Sequence, residues 1–193
     1  MKKDFYLFRH GQTDMNAAGR WQGRGIDLPL NETGREQARE LAAALTPAAL
    51  EVVFSSPLKR AVQTAQIVAE ILRIPVQIEQ GLTEGCFGEA EGKTKQEINM
   101  LFPQTAADWH SLEEEFMDVR FNGGETKREI QQRILKTLTK IAAESNYTVI
   151  GVCAHSAVIR CFILLFGPKL YTVPHGRPFH LVFEENNFRL LGD

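Results

Sequence analysis

The apolar run Phe5-Tyr6-Leu7-Phe8, bounded on both sides by charge, reads as a strand buried on both faces of a sheet. Such a strand needs helices on both sides of it, and the rest of the chain supplies them. Residues 51–55, 75–78 and 147–153 read as further strands, separated by helical patterns with one apolar stripe each. The stripes run through Ala38, Leu41 and Leu45, through Ala61, Ala65, Val68 and Leu72, and through Ile130, Ile134, Leu138 and Ile141. Thr33-Gly34-Arg35-Glu36, Thr94 to Glu97 and Thr126 to Glu129 have the form of capping boxes, and Ser56-Pro57 that of an N-cap followed by a first-turn proline. A buried helix over 158–166 is closed by Gly167 and Pro168. A hairpin of 180–184 and 188–191 around Asn186-Asn187 is the one antiparallel pairing expected. The fold class is therefore α/β, a three-layer α/β/α sandwich with a mainly parallel sheet and an antiparallel C-terminal strand. Residues 1–193 read as a single domain, with 93–122 as a small cap insertion over one end of the sheet.

At 193 residues the chain is long enough to bury a core without disulfides or metals. A formal net charge of -2 supplies no long-range attraction for polyanions, so neither a nucleic acid nor a membrane surface is an expected partner. The amino terminus runs straight into the first strand without a secretory apolar segment, and the three cysteines are too few and too odd in number for a disulfide framework. The expected compartment is the cytoplasm. Oligomeric state is not legible.

The first strand ends abruptly in Arg9-His10-Gly11, at the edge where open α/β sheets bind ligands. A later strand ends in His155-Ser156, and Arg60 falls in the first turn of a helix just past another strand end. A cation gains nothing from the positive end of a helix dipole, so an arginine there makes sense if an anion is there too. If these strands are neighbours, one pocket holds two imidazoles and two guanidiniums, a set suited to a tetrahedral oxyanion. The arginine charges would keep a nearby imidazole neutral, and a neutral imidazole is a nucleophile able to carry a phosphoryl group. Spacing alone leaves His10 and His155 equivalent in that role.

Arg9-His10-Gly11, the Ser55-Ser56-Pro57-Leu58-Lys59-Arg60-Ala61 segment, Glu84 ahead of Phe87-Gly88 and Glu91-Gly92, and His155 together resemble the motifs of the histidine phosphatase (phosphoglycerate mutase-like) superfamily, small phosphatase branch. They come in the family's order and span nearly the whole chain. The resemblance implies that His10 is the nucleophile, that Arg9, Arg60 and His155 hold the phosphoryl oxygens, and that Glu84 is the general acid and then the base. Asn16, Gln22 and Gly23 match positions that line the phosphate and substrate. Ser156 replaces a frequent glycine, and its amide remains available to the phosphate.

No cofactor and no metal are implied, since arginines do the neutralising and the histidines lack ligand spacing. The implied activity is a metal-independent phosphomonoester hydrolase acting on a small-molecule phosphomonoester. The alternatives are a phosphoglycerate mutase, disfavoured by Phe87 and by the shortness of the chain, and an inactive phospho-ligand binding or adaptor protein. Glu89 and Glu91 compete with Glu84 for the acid role. His175 and His180 read as a loop residue and a strand start, His110 as exposed, and Trp109 as packing or pocket wall. Arg20, Arg24, Lys93, Lys95 and Arg120 are candidates for a basic rim, and the segment from Gln12 to Gly23 for substrate choice.

Overall fold

Adjacent residues of the buried strands face opposite ways, and this splits the core into two. Leu7, Val52 and Val152 enter one hydrophobic cluster, while their neighbours Phe8, Val53 and Cys153 enter the other. The computed structural model describes residues 2–191. Its strands are β1 (Lys3–Arg9), β2 (Val52–Ser55), β3 (Val76–Ile78), β4 (Val149–Ala154), β5 (Phe179–Glu184) and β6 (Asn187–Leu190). Its α-helices are α1 (Asp14–Ala17), α2 (Glu32–Leu45), α3 (Lys59–Leu72), α4 (Lys95–Leu101), α5 (Pro103–His110), α6 (Lys127–Glu144) and α7 (Ser156–Ile163). Helices α2 and α3 cover the Phe8 face through Leu41, Leu45, Ala61, Ala65 and Val68. Helices α6 and α7 cover the Leu7 face through Ile130, Ile134, Leu138, Val158 and Phe162. The three-layer sandwich expected from the strand and helix periods is the fold observed.

The sheet runs β3-β2-β4-β1-β5-β6. β3, β2, β4 and β1 are parallel neighbours, so the carboxyl ends of β2, β4 and β1 lie side by side. Both the β1–β5 and β5–β6 pairings are antiparallel, one more than expected. The extra pair arises because β5 returns beside β1 after the loop that follows α7, rather than pairing with β6 alone. The hairpin turn is Glu185-Asn186, one residue earlier than expected, and both residues take positive φ (52° and 63°) as tight hairpins require.

Three helix starts differ from the sequence reading, and for α2 and α3 the reason is a tertiary contact. Helix α2 is capped by Asn31, whose Oδ1 accepts from the Gly34 amide at 2.9 Å, and not by Thr33. Asn31 is held in place by Gln12, to whose Oε1 and carbonyl it donates (both 3.0 Å). Ser56 and Pro57 lie ahead of α3 instead of starting it. The Ser56 amide continues the ladder to Cys153 O (3.0 Å), and its hydroxyl meets His155, so the helix begins only at Lys59. Helix α7 starts at Ser156, two residues early, and is followed by a 3-10 turn over Leu164–Phe166.

Residues 103–124 are more regular than expected. Pro103 opens α5 as its first residue as well as ending α4. The C-terminus of α5 is closed by Lys127, a buried cation whose Nζ donates to the carbonyls of Asp108, Trp109 and Ser111 at 2.8–3.0 Å. Those are the orphan acceptors of a helix end, where a cation is favoured. Trp109 is fully buried against Phe87 and Phe121, which makes it packing and not pocket wall. One close approach fixes the loop after β1 against α2: a side chain at Gly11 would come 2.2 Å from Gly34 O, and one at Gly34 would come 2.1 Å from Gln12 O.

Candidate active site

Parallel pairing in register (Arg9 with Ala154, Ser55 with Cys153) delivers Arg9-His10, Ser56 and His155 to one edge of the sheet. The rings of His10 and His155 lie 5.1 Å apart, both buried. His10 Nδ1 is 2.7 Å from Gly11 O. A carbonyl can only accept, so the Nδ1 proton is in place and Nε2 of the neutral ring keeps its lone pair. His155 is placed differently: its Nε2 meets Ser56 Oγ at 2.7 Å and its Nδ1 has no partner. Burial above all, then the Arg9 and Arg60 charges, hold the His10 imidazole well below its usual proton affinity. His155 is pushed the same way, by burial first and Arg60 next. The arginines therefore act as expected but are the lesser cause.

Arg9 donates to Val173 O (2.9 Å), and Arg60 to Ile26 O (3.0 Å) and Gly23 O (2.7 Å). These partners are carbonyls, which position a guanidinium without neutralising it. The Nε atoms of both are buried and unpartnered. Burial lowers the Arg9 pKa to about 10 and lowers that of Arg60 as well, leaving both charged at neutral pH.

Glu84 sits at the same cavity on a loop clamped from several directions. Arg133 donates to Gly81 O (2.8 Å) and Thr83 O (2.6 Å), Glu125 accepts from the Cys86 amide (2.9 Å), and Arg24 donates to Glu84 O (3.2 Å). The Glu84 carboxylate accepts from the Gly85 amide at 2.9 Å and faces the Ala157 amide at 3.5 Å. Glu91 serves the backbone instead, accepting from the Phe87 (3.0 Å) and Gly25 (3.1 Å) amides, and Glu89 accepts from the Asn122 amide (3.3 Å).

These groups surround a cavity of about 450 Å³ lined by Arg9, His10, Arg60 and Glu84. Asn16, Gln22, Gly23 and Ser156 also line it. Asn16 belongs to the short helix α1, whose cap Thr13 accepts from Asn16 N (3.2 Å) and from Gln22 Nε2 (2.6 Å). His155, fully buried beside His10, is not among the residues lining the cavity. Of the proposed basic rim, Arg20 and Lys95 reach the cavity, whereas Arg24, Lys93 and Arg120 are engaged elsewhere with Glu84 O, Glu89 O and Glu129. Gln12 turns toward Asn31 and away from the cavity. His110 is half-buried and lines the cavity, because α5 sets it against Trp21.

His175 and Arg160 are among the residues at the site that escaped the sequence reading. His175 donates from Nδ1 to His10 O (2.6 Å) with its ring 5.9 Å from that of His10, and burial followed by the Arg9 charge lowers its pKa to about 4. Arg160 lines the cavity from α7, although in the sequence it stands out only as a charge inside an apolar run.

Family comparison decides what this geometry belongs to. The sequence model of the histidine phosphatase superfamily, branch 1, matches residues 5–178. The chain belongs to the histidine phosphatase superfamily. It is 34% identical over 165 residues to phosphoserine phosphatase 1 of Hydrogenobacter thermophilus, covering 85% of this chain and 76% of that one. It is 31% identical over 157 residues to the Bacillus subtilis protein described as uncharacterized phosphatase PhoE, covering 81% and 74%. Among solved structures, the mycobacterial glucosyl-3-phosphoglycerate phosphatase complexed with VO3 superposes with a TM-score of 0.87 at 25% identity, over 97% of this chain and 96% of that one. Membership makes the chain a phosphatase-type enzyme.

The histidines of this phosphatase also predict its response to acid. His10, His155 and His175 bind protons more weakly in the fold than the 6.5 of an unfolded histidine. Below 6.5 the unfolded chain therefore holds more protons than the folded one, and stability falls as pH falls. Each of the three adds up to about 1.4 kcal/mol per pH unit to that loss. Urea midpoints should drop progressively from pH 7 to pH 5, and His175→Asn should flatten the drop. A midpoint that does not move over that range would contradict neutral burial.

Proposed function

We propose that the protein hydrolyses phosphomonoesters of small metabolites in the cytoplasm, without metal or cofactor, through a phosphohistidine at His10 Nε2. The observation that carries this reading is the contact of His10 Nδ1 with Gly11 O, which leaves the Nε2 lone pair of a neutral, buried ring for attack. Arg9 and Arg60 hold the nonbridging oxygens, with support from His155, the buried ring beside His10. In the first step the Nε2–P bond forms, the P–O bond to the alcohol breaks, and the Glu84 carboxyl protonates the leaving oxygen. In the second, Glu84 takes a proton from water, the water oxygen bonds phosphorus, and the P–N bond breaks to release phosphate. Asn16, Gln22, Gly23 and Ser156 line the path, residues 93–122 cover the cavity as a cap within a single domain, and the cysteines described are free thiols as a reducing compartment allows.

Quenching the enzyme with a labelled phosphomonoester in turnover should trap label that is lost in acid, kept in base, and located by peptide mapping on His10. Label on another residue, or none while phosphate is released, would overturn the assignment. Release of inorganic phosphate, as opposed to transfer onto a second hydroxyl, separates hydrolysis from mutase chemistry.

A further inference from the structure

His10 follows β1 directly, and its amide continues the ladder to Ala154 O (3.1 Å). Beyond that amide the chain leaves the sheet, and two side chains hold the next peptide unit. His175 donates from Nδ1 to His10 O (2.6 Å), and the Gly11 amide donates to Thr64 Oγ1 (3.0 Å). That carbonyl and that amide are the two edges of one planar group, so the plane between His10 and Gly11 is gripped from both sides. The following unit is held as well: Gln12 N donates to Gln37 Oε1 (2.8 Å), and Gly11 O meets the His10 ring (2.7 Å).

The His10 ring is thus anchored to a carbonyl one residue along its own chain. Gly11 O keeps its place relative to the His10 Cα only while the plane between them does not rotate. A turn of that plane would carry Gly11 O away from Nδ1 and redirect Nε2 across the same ring. Thr64, one grip on the plane, also donates to Arg60 O (2.7 Å) within α3. His175, the other grip, reaches across from the loop between α7 and β5, and its ring stands 5.9 Å from that of His10 in a T-shaped contact.

We infer that His175 is a positioning residue for the nucleophile, fixing through the His10 carbonyl the direction in which Nε2 meets phosphorus. It is not among the residues lining the cavity, so, on the phosphatase reading on which this role rests, it acts through His10 and not on the substrate. Attack on phosphorus depends steeply on the placement of the reacting nitrogen. Capture of the phosphoryl oxygens depends instead on Arg9 and Arg60, which have carbonyl partners of their own.

The test sets the single-turnover rate of His10 phosphorylation by p-nitrophenyl phosphate against the affinity for orthovanadate. His175→Ala removes the donor and should slow phosphorylation about 100-fold, the cost of misplacing a reacting group by about 1 Å. Its Kd for vanadate should stay within about threefold of the wild type. His175→Asn carries an amide nitrogen near the place of Nδ1 and should recover the rate to within about fivefold of the wild type. A residue that merely packed its loop would give the reverse split, a weaker Kd with an unchanged rate at saturation, because Val173 of the same loop holds Arg9. In the wild type, nitrogen NMR of the histidine rings should show His175 at neutral pH with its proton on Nδ1, a readout that stands even if neither variant folds. A proton on Nε2 instead, the reverse split, an unslowed His175→Ala, or a His175→Asn no faster than His175→Ala overturns the inference. If the wild type phosphorylates His10 and His175→Ala does so equally fast, the positioning role alone fails; if wild-type His10 takes up no phosphate, the phosphatase reading fails and takes this role with it.

Discussion

His10→Asn is expected to lower kcat for any phosphomonoester by about 10⁴-fold or more, the scale on which loss of a covalent nucleophile acts. Asparagine is the informative replacement because its side-chain amide can still donate to Gly11 O as His10 Nδ1 does, so the loop between β1 and α1 keeps its anchor. What it lacks is the second ring nitrogen. Binding should survive, because Arg9 and Arg60 draw their positions from Val173, Ile26 and Gly23 and not from His10. The variant should thus bind vanadate or a substrate within about tenfold of the wild-type affinity while turning over almost nothing, a kcat effect with little in Kd. His155→Asn serves as the control. It should slow phosphoryl transfer by weakening oxyanion support yet still trap phosphate on His10. Substantial turnover by His10→Asn, or label moving to His155, would exchange the roles of the two rings.

Much of this site was legible in the sequence because it is carried by residues at strand ends. Period and burial place the end of β1 at Arg9-His10 and the end of β4 at His155, and the parallel order of β2, β4 and β1 then brings them together. What was not legible depends on long-range contacts. His175 reaches His10 across 165 residues of sequence, through a loop with no periodic pattern. Arg133 sits beside the apolar stripe of α6, where an arginine ordinarily reads as a solvated residue, yet it clamps the Glu84 loop through two carbonyls. The starts of α2 and α3 shifted for the same reason, since Gln12 holds Asn31 and His155 holds Ser56. Local capping rules rank candidate caps, and tertiary contacts choose among them. What separates the two otherwise equivalent rings is their partners, a carbonyl that fixes the His10 tautomer and the Ser56 hydroxyl that meets His155, and only the folded chain supplies them.

Glu84→Gln should separate the two chemical steps. Glutamine keeps the shape of the side chain and an oxygen to accept from the Gly85 amide, so the clamp by Arg133, Glu125 and Arg24 on the surrounding backbone is undisturbed. It cannot give or take a proton in the pH range of turnover. An alkyl phosphate has a leaving oxygen that must be protonated as the P–O bond breaks, so its kcat/KM should fall by about 10²- to 10⁴-fold, the usual worth of a positioned acid. p-Nitrophenyl phosphate has a leaving group stable as an anion, and its attack by His10 needs no acid. With that substrate the variant should release a burst of about one nitrophenolate per enzyme and then slow, because water is no longer activated against the P–N bond. The phosphohistidine, short-lived in the wild type, should accumulate and be trapped in higher yield. Were Glu89 or Glu91 the acid instead, Glu84→Gln would turn over alkyl phosphates normally. Those two carboxylates already accept from the Asn122, Phe87 and Gly25 amides, so replacing them should loosen the loop without producing a burst.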